Sequence, residues 1–263
     1  GLLGIDLAAV CAAQELDTHY LMRGNRWWRY ALSVEGAEII HEALEEKGVT
    51  PVFDSGVERF EVDDEGHVEG AVDPNGEYYD GEWCGVAIGL DFNTEWLHGT
   101  GVECDDGVVV DEHMRTDAED IYAAGDITQF YDTILNARGQ NGSWGSAKEQ
   151  GAVAARNMIA DEPAEEFRWV SSYSITHFDF PFLSFGHPTR GDDEAERRYG
   201  EQEWRRLAFE NGQLVGGVLI GDLSQQSTYK QIIREERQVA DQKEVLLEES
   251  VEVDKLESPP RAD

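Results

Sequence analysis

Cysteine is scarce. Cys11, Cys84 and Cys104 are the only three in 263 residues, and no two stand at C-x-x-C or C-x4-C spacing. That leaves no legible redox dithiol or zinc site and fits packing thiols in a reducing compartment. No apolar run approaches the length of a membrane span, and no basic stretch precedes Leu2-Leu3 as a secretory signal would have it. A cytoplasmic protein without a membrane span is the expectation. Basic residues are also few: lysine and arginine total 21 against 55 acids, a formal charge of −34, and only residues 47, 148, 230, 243 and 255 are lysine. Such a charge disfavours nucleic acid as a partner. The acids are spread along the whole chain rather than gathered in one tail. A uniform acidic coat suits solvation in high salt, where repulsion is screened over short distances. A halophilic, haloarchaeal-type cytoplasm is therefore expected, with an acidic surface for basic proteins as the competing reading.

The stretch that organises the rest is Thr116–Asp132. Ile121-Tyr122-Ala123-Ala124-Gly125 is a short apolar run ending in small residues and an acid, Asp126. It reads as a buried parallel strand, whose carboxyl end is where open α/β sheets bind ligands. Ala124 and Gly125 would let a ligand approach the backbone, and Asp126 would offer a carboxylate to a polyol hydroxyl. Trp144 follows, then Ser146-Ala147-Lys148-Glu149-Gln150-Gly151. Ser146-x-x-Glu149 fits a capping box, and Ala147, Gly151, Ala154 and Ala155 give the helix a thin packing face. Strand end and helix together resemble the second flavin-binding segment of the FAD-dependent pyridine-nucleotide oxidoreductases. The resemblance implies that Gly125, Asp126, Trp144, Ala147 and Gln150 border FAD, with Trp144 beside the isoalloxazine.

The chain opens on Gly1-Leu-Leu-Gly4-Ile5-Asp6. Gly1 and Gly4 have the spacing of the last two glycines of G-x-G-x-x-G, helix 5–16 leads to strand 19–22, and a second helix covers 34–47. That is most of a dinucleotide-binding βαβ unit. Its first strand and first glycine are missing, so an N-terminally truncated chain is expected. The opening resembles the NAD(P)H-binding turn of the same superfamily, with Asp6 where the family carries Glu near the nicotinamide; a first-turn acid favoured by the helix dipole is the plainer reading. An NAD-preferring site would place an acid about twenty residues after the glycines. Met22-Arg23 stands there, with Arg26 and Arg29 close behind. These guanidiniums could hold a 2′-phosphate and so favour NADPH, or Arg23 could stack on adenine with NADH as cofactor.

Residues 57–62, 68–72 and 78–83 alternate between turns at Asp64-Glu65-Gly66 and Pro74-Asn75-Gly76, a three-stranded meander. Val86-Ala87-Ile88-Gly89 reads as another buried strand. It resembles the family's element whose final glycine, here Gly89, lies near the nicotinamide nucleotide. From Glu165 the pattern turns to β, with aromatic runs at 167–175 and 178–185, a hairpin at 204–220 turning on Asn211-Gly212, and a helix over 228–239. This order resembles the C-terminal domain of rubredoxin-reductase, ferredoxin-reductase and nitrite-reductase large-subunit relatives. Gly186-His187-Pro188-Thr189 also matches the HPT motif of dithiol-disulfide reductases. No orienting acid follows it, so a loop is expected.

The resulting expectation is an α/β protein. A Rossmann-like NAD(P)H-binding domain with inserted meander covers 1–105, a C-terminal segment of a FAD-binding domain 106–165, a small α+β domain 166–243, and a mostly disordered acidic tail 244–263. The resemblance implies hydride transfer from NAD(P)H to FAD and onward to a small redox acceptor or electron-transfer protein, and leaves a homodimer open. No side chain is singled out as catalytic, and no metal is expected. A non-catalytic nucleotide-binding sensor or an inactive fragment are the alternatives, since a fold does not dictate turnover.

Overall fold

The computed structural model describes residues 1–162, 164–175 and 181–257. It opens with α1 (Leu2–Ala13), β1 (Thr18–Leu21), α2 (Val34–Glu46) and β2 (Val49–Val52). β1 and β2 pair in parallel, Thr18 opposite Val49, because α2 carries the chain back between them. Ser33 caps α2 by accepting the Gly36 N–H, and Ala37, Ile39, Ile40 and Leu44 are its buried face. The expected βαβ order is present, but α1 starts at Leu2, so Gly4 lies inside the helix rather than in a turn before it.

The meander is present as β3 (Arg59–Val62), β4 (Val68–Val72) and β5 (Tyr78–Asp80), with β4 central. Asp73 Oδ1 accepts from the Asn75 and Glu77 N–H groups and closes the second turn. Beyond it, the expected buried strand at 86–89 is a correction. That segment has no strand partner among the described residues, and Val86 and Ile88 are 61% and 76% exposed. Apolar residues make a strand only where a neighbouring ladder takes up their backbone groups.

Next come β6 (Val108–Val109), β7 (Thr128–Asp132) and β8 (Ala137–Gly139), β7 lying parallel to β6 and antiparallel to β8. The expected strand at 121–125 is also corrected. Its ladder is a single bridge from Tyr122 to Arg115, Ile121 is exposed, and the regular strand starts only after the Gly125 turn. α3 (Trp144–Ile159) is capped by Ser143, which accepts the Ser146 N–H. The cap therefore lies three residues before the expected Ser146, which is buried inside the helix.

The remainder is a five-stranded antiparallel sheet in the order β11 (Asp193–Gly200), β12 (Glu203–Glu210), β13 (Gln213–Ile220), β10 (Phe182–Gly186), β9 (Ser172–Ile175). The start of the expected 178–185 run lies outside the described residues. Asn211 and Gly212 have φ of 51° and 85°, the paired positive values of a type I′ turn, as expected for Asn-Gly. Alternation splits the sheet between two cores. Phe182, Trp204, Val218 and Ile220 face α1, α2 and β1, while Leu183, Phe185, Leu207, Phe209 and Leu219 face α4 (Gln226–Arg234). Burial on both faces explains why β13 is apolar almost throughout.

The tail expected to be disordered is docked as far as it is described. α5 (Lys243–Leu246) and the chain after it bury Leu246, Leu247, Val251 and Leu256 in the second core. Fully buried Arg205 donates to the Glu248 carbonyl at 2.9 Å and to Asp222 at 2.8 Å, and Tyr229 donates to the Leu246 carbonyl. Four apolar residues among acids are too sparse to signal a core in sequence, yet the sheet face gives them one. Residues 258–263 lie outside the described part.

Candidate functional site

Gly125 stands at the head of β7 with φ +98°, a left-handed conformation suited to glycine, and a Cβ added there would meet open space. The turn is braced from below by Gln150, which is fully buried in α3. Its Oε1 accepts the Gly125 N–H at 2.7 Å and lies 2.7 Å from the Thr128 hydroxyl, while its Nε2 donates to Ser146 Oγ at 3.1 Å. Every polar atom of that carboxamide is thus committed to protein. Gln150 shapes the site and does not itself reach into it. Asp126 is half-buried, its carboxylate lying 3.8 Å from a Cβ built on Gly142, just before the α3 cap. Ala147 is half-buried in the first turn of α3, and Trp144 at its N-terminus is 91% exposed. Gly125 and Asp126 therefore lie against α3 and the Gly142–Ser143 turn that leads into it, with Trp144 and Ala147 in that helix's first turn.

The residues expected at the nucleotide end behave differently. Gly1 caps α1, with open space around it. A Cβ on buried Gly4 would stand 2.5 Å from the Tyr20 hydroxyl, so Gly4 permits close helix–strand packing. Burial pushes the Tyr20 phenol up to about 12. Asp6 accepts a hydrogen bond from Tyr173 of β9, whose hydroxyl also lies 3.3 Å from the Leu2 carbonyl oxygen. Burial, reinforced by the Asp6 carboxylate, raises that phenol too. The Asp6 carboxylate is therefore engaged by the C-terminal sheet, a contact 167 residues apart in sequence. Arg23 and Arg29 are exposed, and Arg26 is half-buried. Arg26 and Arg29 donate to backbone carbonyls of the same loop and to Asn25 or Tyr30, and none of the three meets a carboxylate among the described residues.

Gly89 is exposed with φ +126°. The segment around it links the two ends. A Cβ on Gly85 would lie 3.2 Å from Leu7 of α1, and a Cβ on Gly142, beside Asp126, 3.5 Å from Leu90. Five residues span at most ~18 Å. One short segment therefore joins Leu7 of α1 to the Gly142 turn beside Asp126.

Sequence reasoning missed three contacts. His187 lies in a loop between β10 and β11, as expected, but its Nε2 stands 3.2 Å from Oδ2 of Asp132 at the far end of β7. The second oxygen of Asp132 takes the Ile134 and Leu135 N–H groups. Tyr173 on Asp6 and Thr128 on Gln150 are the others. Only the Ser and Thr residues at turn positions carried a local signal.

A model of the pyridine nucleotide-disulphide oxidoreductase family matches residues 1–151, more than half of the chain. The chain belongs to this family. Residues 174–237 match the rubredoxin NAD+ reductase C-terminal domain. The pyridine nucleotide-disulfide oxidoreductase domain-containing protein 1 of Pongo abelii is 28% identical over 202 residues, 68% of this chain and 39% of that protein. Among solved structures, the covalent putidaredoxin reductase–putidaredoxin complex is similar with a TM-score of 0.82 at 20% identity, over 90% of this chain and 57% of the reductase. An engineered water-forming NADPH oxidase bound to NADPH is similar with a TM-score of 0.79 at 20% identity, over 96% of this chain and 60% of that one. The oxidoreductase family chain thus shares a fold with these proteins and spans less than two thirds of their length.

Proposed function

We propose that this chain is the part of a flavoprotein that binds NAD(P)H at the α1 end and the ribityl side of FAD at the Gly125–Asp126 turn, serving hydride transfer from NAD(P)H to FAD and onward to a small electron carrier. One observation carries this reading: a left-handed glycine turn with an open acid beside it, held at the head of β7 by a fully buried glutamine. The residues fit the group. Gly125 leaves room for close approach, Asp126 offers an acceptor for hydroxyls, and the α3 N-terminus favours negative charge. FAD, when bound, supplies the exchange between two-electron and one-electron partners. This chain's part is placement: the Gln150 brace sets the turn, and Trp144 and Leu90 present apolar surface beside it. At the α1 end, Gly1 leaves room for a phosphate and Asp6, held by Tyr173, orients the first turn.

The Arg23, Arg26 and Arg29 group, with no acid at the strand end, favours NADPH. The engineered NADPH oxidase was changed from its parent by replacements that include the loss of an Asp and the gain of two Arg. The putidaredoxin reductase complex supports a small electron-transfer protein as acceptor. The even acid coat supports a halophilic setting. Mixing the full chain with FAD tests the proposal. A yellow complex that bleaches with NADPH is expected, and Asp126→Ala should weaken flavin affinity about tenfold, the size of one hydrogen bond to a charged group. A colourless chain, or equal affinity in the variant, refutes it.

A further inference from the structure

In the C-terminal part of this acid-rich chain, cations rarely go without a carboxylate. From residue 164 to 257 every described arginine and lysine has a carboxylate oxygen at 3.8 Å or closer, with two exceptions. The exceptions are Lys230 and Arg234. They stand one turn apart on α4 and line the same surface hollow of about 290 Å³, together with Ser224, Gln226 and Ser227. Lys230 is half-buried, its Nζ donating to the Ser172 hydroxyl at 3.1 Å and lying 5.7 Å from the Trp169 ring centre. Burial, with the Arg234 charge adding to it, lowers the Lys230 amine from its usual range. Like charges at this spacing oppose one another on a helix. Folding has brought them together in a concave place and left both without a counter-charge from the described residues.

We propose that this hollow binds a small multivalent oxyanion of the phosphate or polycarboxylate class. Lys230 and Arg234 supply the counter-charge, and the exposed hydroxyl of Ser227 supplies a neutral donor. The hollow is open to solvent and has room for a compact anion between the two cations. The overall charge of −34 selects small size: repulsion grows with the charge of the approaching body, so a compact dianion reaches the hollow more readily than an acidic protein. The hollow shares no lining residue with the Gly125–Asp126 turn, and the proposal does not depend on the flavin reading.

The test is calorimetric titration of the full chain with inorganic pyrophosphate and with citrate at fixed ionic strength. Four proteins are compared: the unaltered chain, Lys230→Gln/Arg234→Gln, Lys230→Arg, and Arg59→Gln as a control for losing a surface cation elsewhere. The anion should bind about tenfold more weakly in Lys230→Gln/Arg234→Gln, with Arg59→Gln unchanged and Lys230→Arg near the unaltered value. Tighter pyrophosphate assigns phosphate chemistry, and tighter citrate assigns carboxylate. Should the double variant fail to fold, exposed Arg234→Gln alone is read, with weakening still expected. The proposal is overturned if neither anion binds, if affinity is unchanged in the α4 variants, or if Arg59→Gln loses as much affinity as they do.

Discussion

Replacing Gln150 by leucine perturbs the brace under the Gly125 turn without changing the chain's charge. The leucine keeps much of the volume but removes an acceptor from the Gly125 N–H and from the Thr128 hydroxyl, and a donor to Ser146. Thr128 has a second acceptor in the Gly125 carbonyl at 2.8 Å, and the Ser146 hydroxyl can rotate, so those two losses are partly recovered. The Gly125 N–H loses its side-chain acceptor at a half-buried turn. A donor left without its acceptor costs about 1–3 kcal/mol, the lower figure where water reaches it, and the partial losses add roughly 1 more, giving ~2–4 kcal/mol in all. Urea unfolding followed by circular dichroism should show a lower midpoint with an unchanged slope. Flavin affinity should fall in the same variant, because a relaxed turn no longer holds Asp126 in place. Stability within about 0.5 kcal/mol of the unaltered chain, the scatter of neutral surface changes, would show that the brace carries little weight.

A Cβ at Gly36 would come 2.8 Å from the buried Trp204 indole, so Gly36→Ala should destabilise by about 1–3 kcal/mol through overpacking between α2 and the C-terminal sheet; a neutral result in chemical unfolding would contradict the shared core. Leu246 is fully buried among residues of the second core, and Leu246→Ala should cost about 2–5 kcal/mol in the same assay, against nearly nothing for a disordered tail. Arg23→Gln should weaken NADPH binding several-fold and leave NADH unchanged, as read by competitive titration; equal loss for both cofactors argues against a 2′-phosphate contact. Burial, then the Arg26 charge, holds His41 below its usual 6.5, and its Nε2 accepts the Trp27 N–H at 3.0 Å. The unfolded chain therefore takes up this proton first, so stability that is full above pH 6.5 should fall as pH drops toward the folded value. Melting curves across this range should be flatter for His41→Gln, and identical slopes would refute the assignment.

Much of the chain is locally legible. Asn211-Gly212 demands a turn with two positive φ values, and the structure has it. The Asp-rich turns of the meander and the Ser33 cap of α2 carry their own acceptors a few residues from the N–H groups they satisfy. The misreadings share one cause. Val86–Gly89 and Ile121–Gly125 have strand composition, but a strand needs a neighbour, and composition does not supply one. The segment after Glu244 has disordered composition, but Arg205 and the apolar sheet face hold it. The sequence places Gln150 in the helix motif, while its role as the brace beneath the Gly125 turn follows only from the fold.

By itself the sequence determined the elements with short-range causes: the helices, the hairpins, the extreme surface charge, and the order of motifs that marks the family. Only the tertiary structure decided who meets whom. Asp6 joins Tyr173, His187 joins Asp132, the tail joins Arg205, and two cations are left facing one hollow. Turns and caps close within a few residues, so their chemistry is written locally. Long-range pairs depend on which sheet face and which helix face the core brings together, and that is settled only when the whole apolar surface is buried at once.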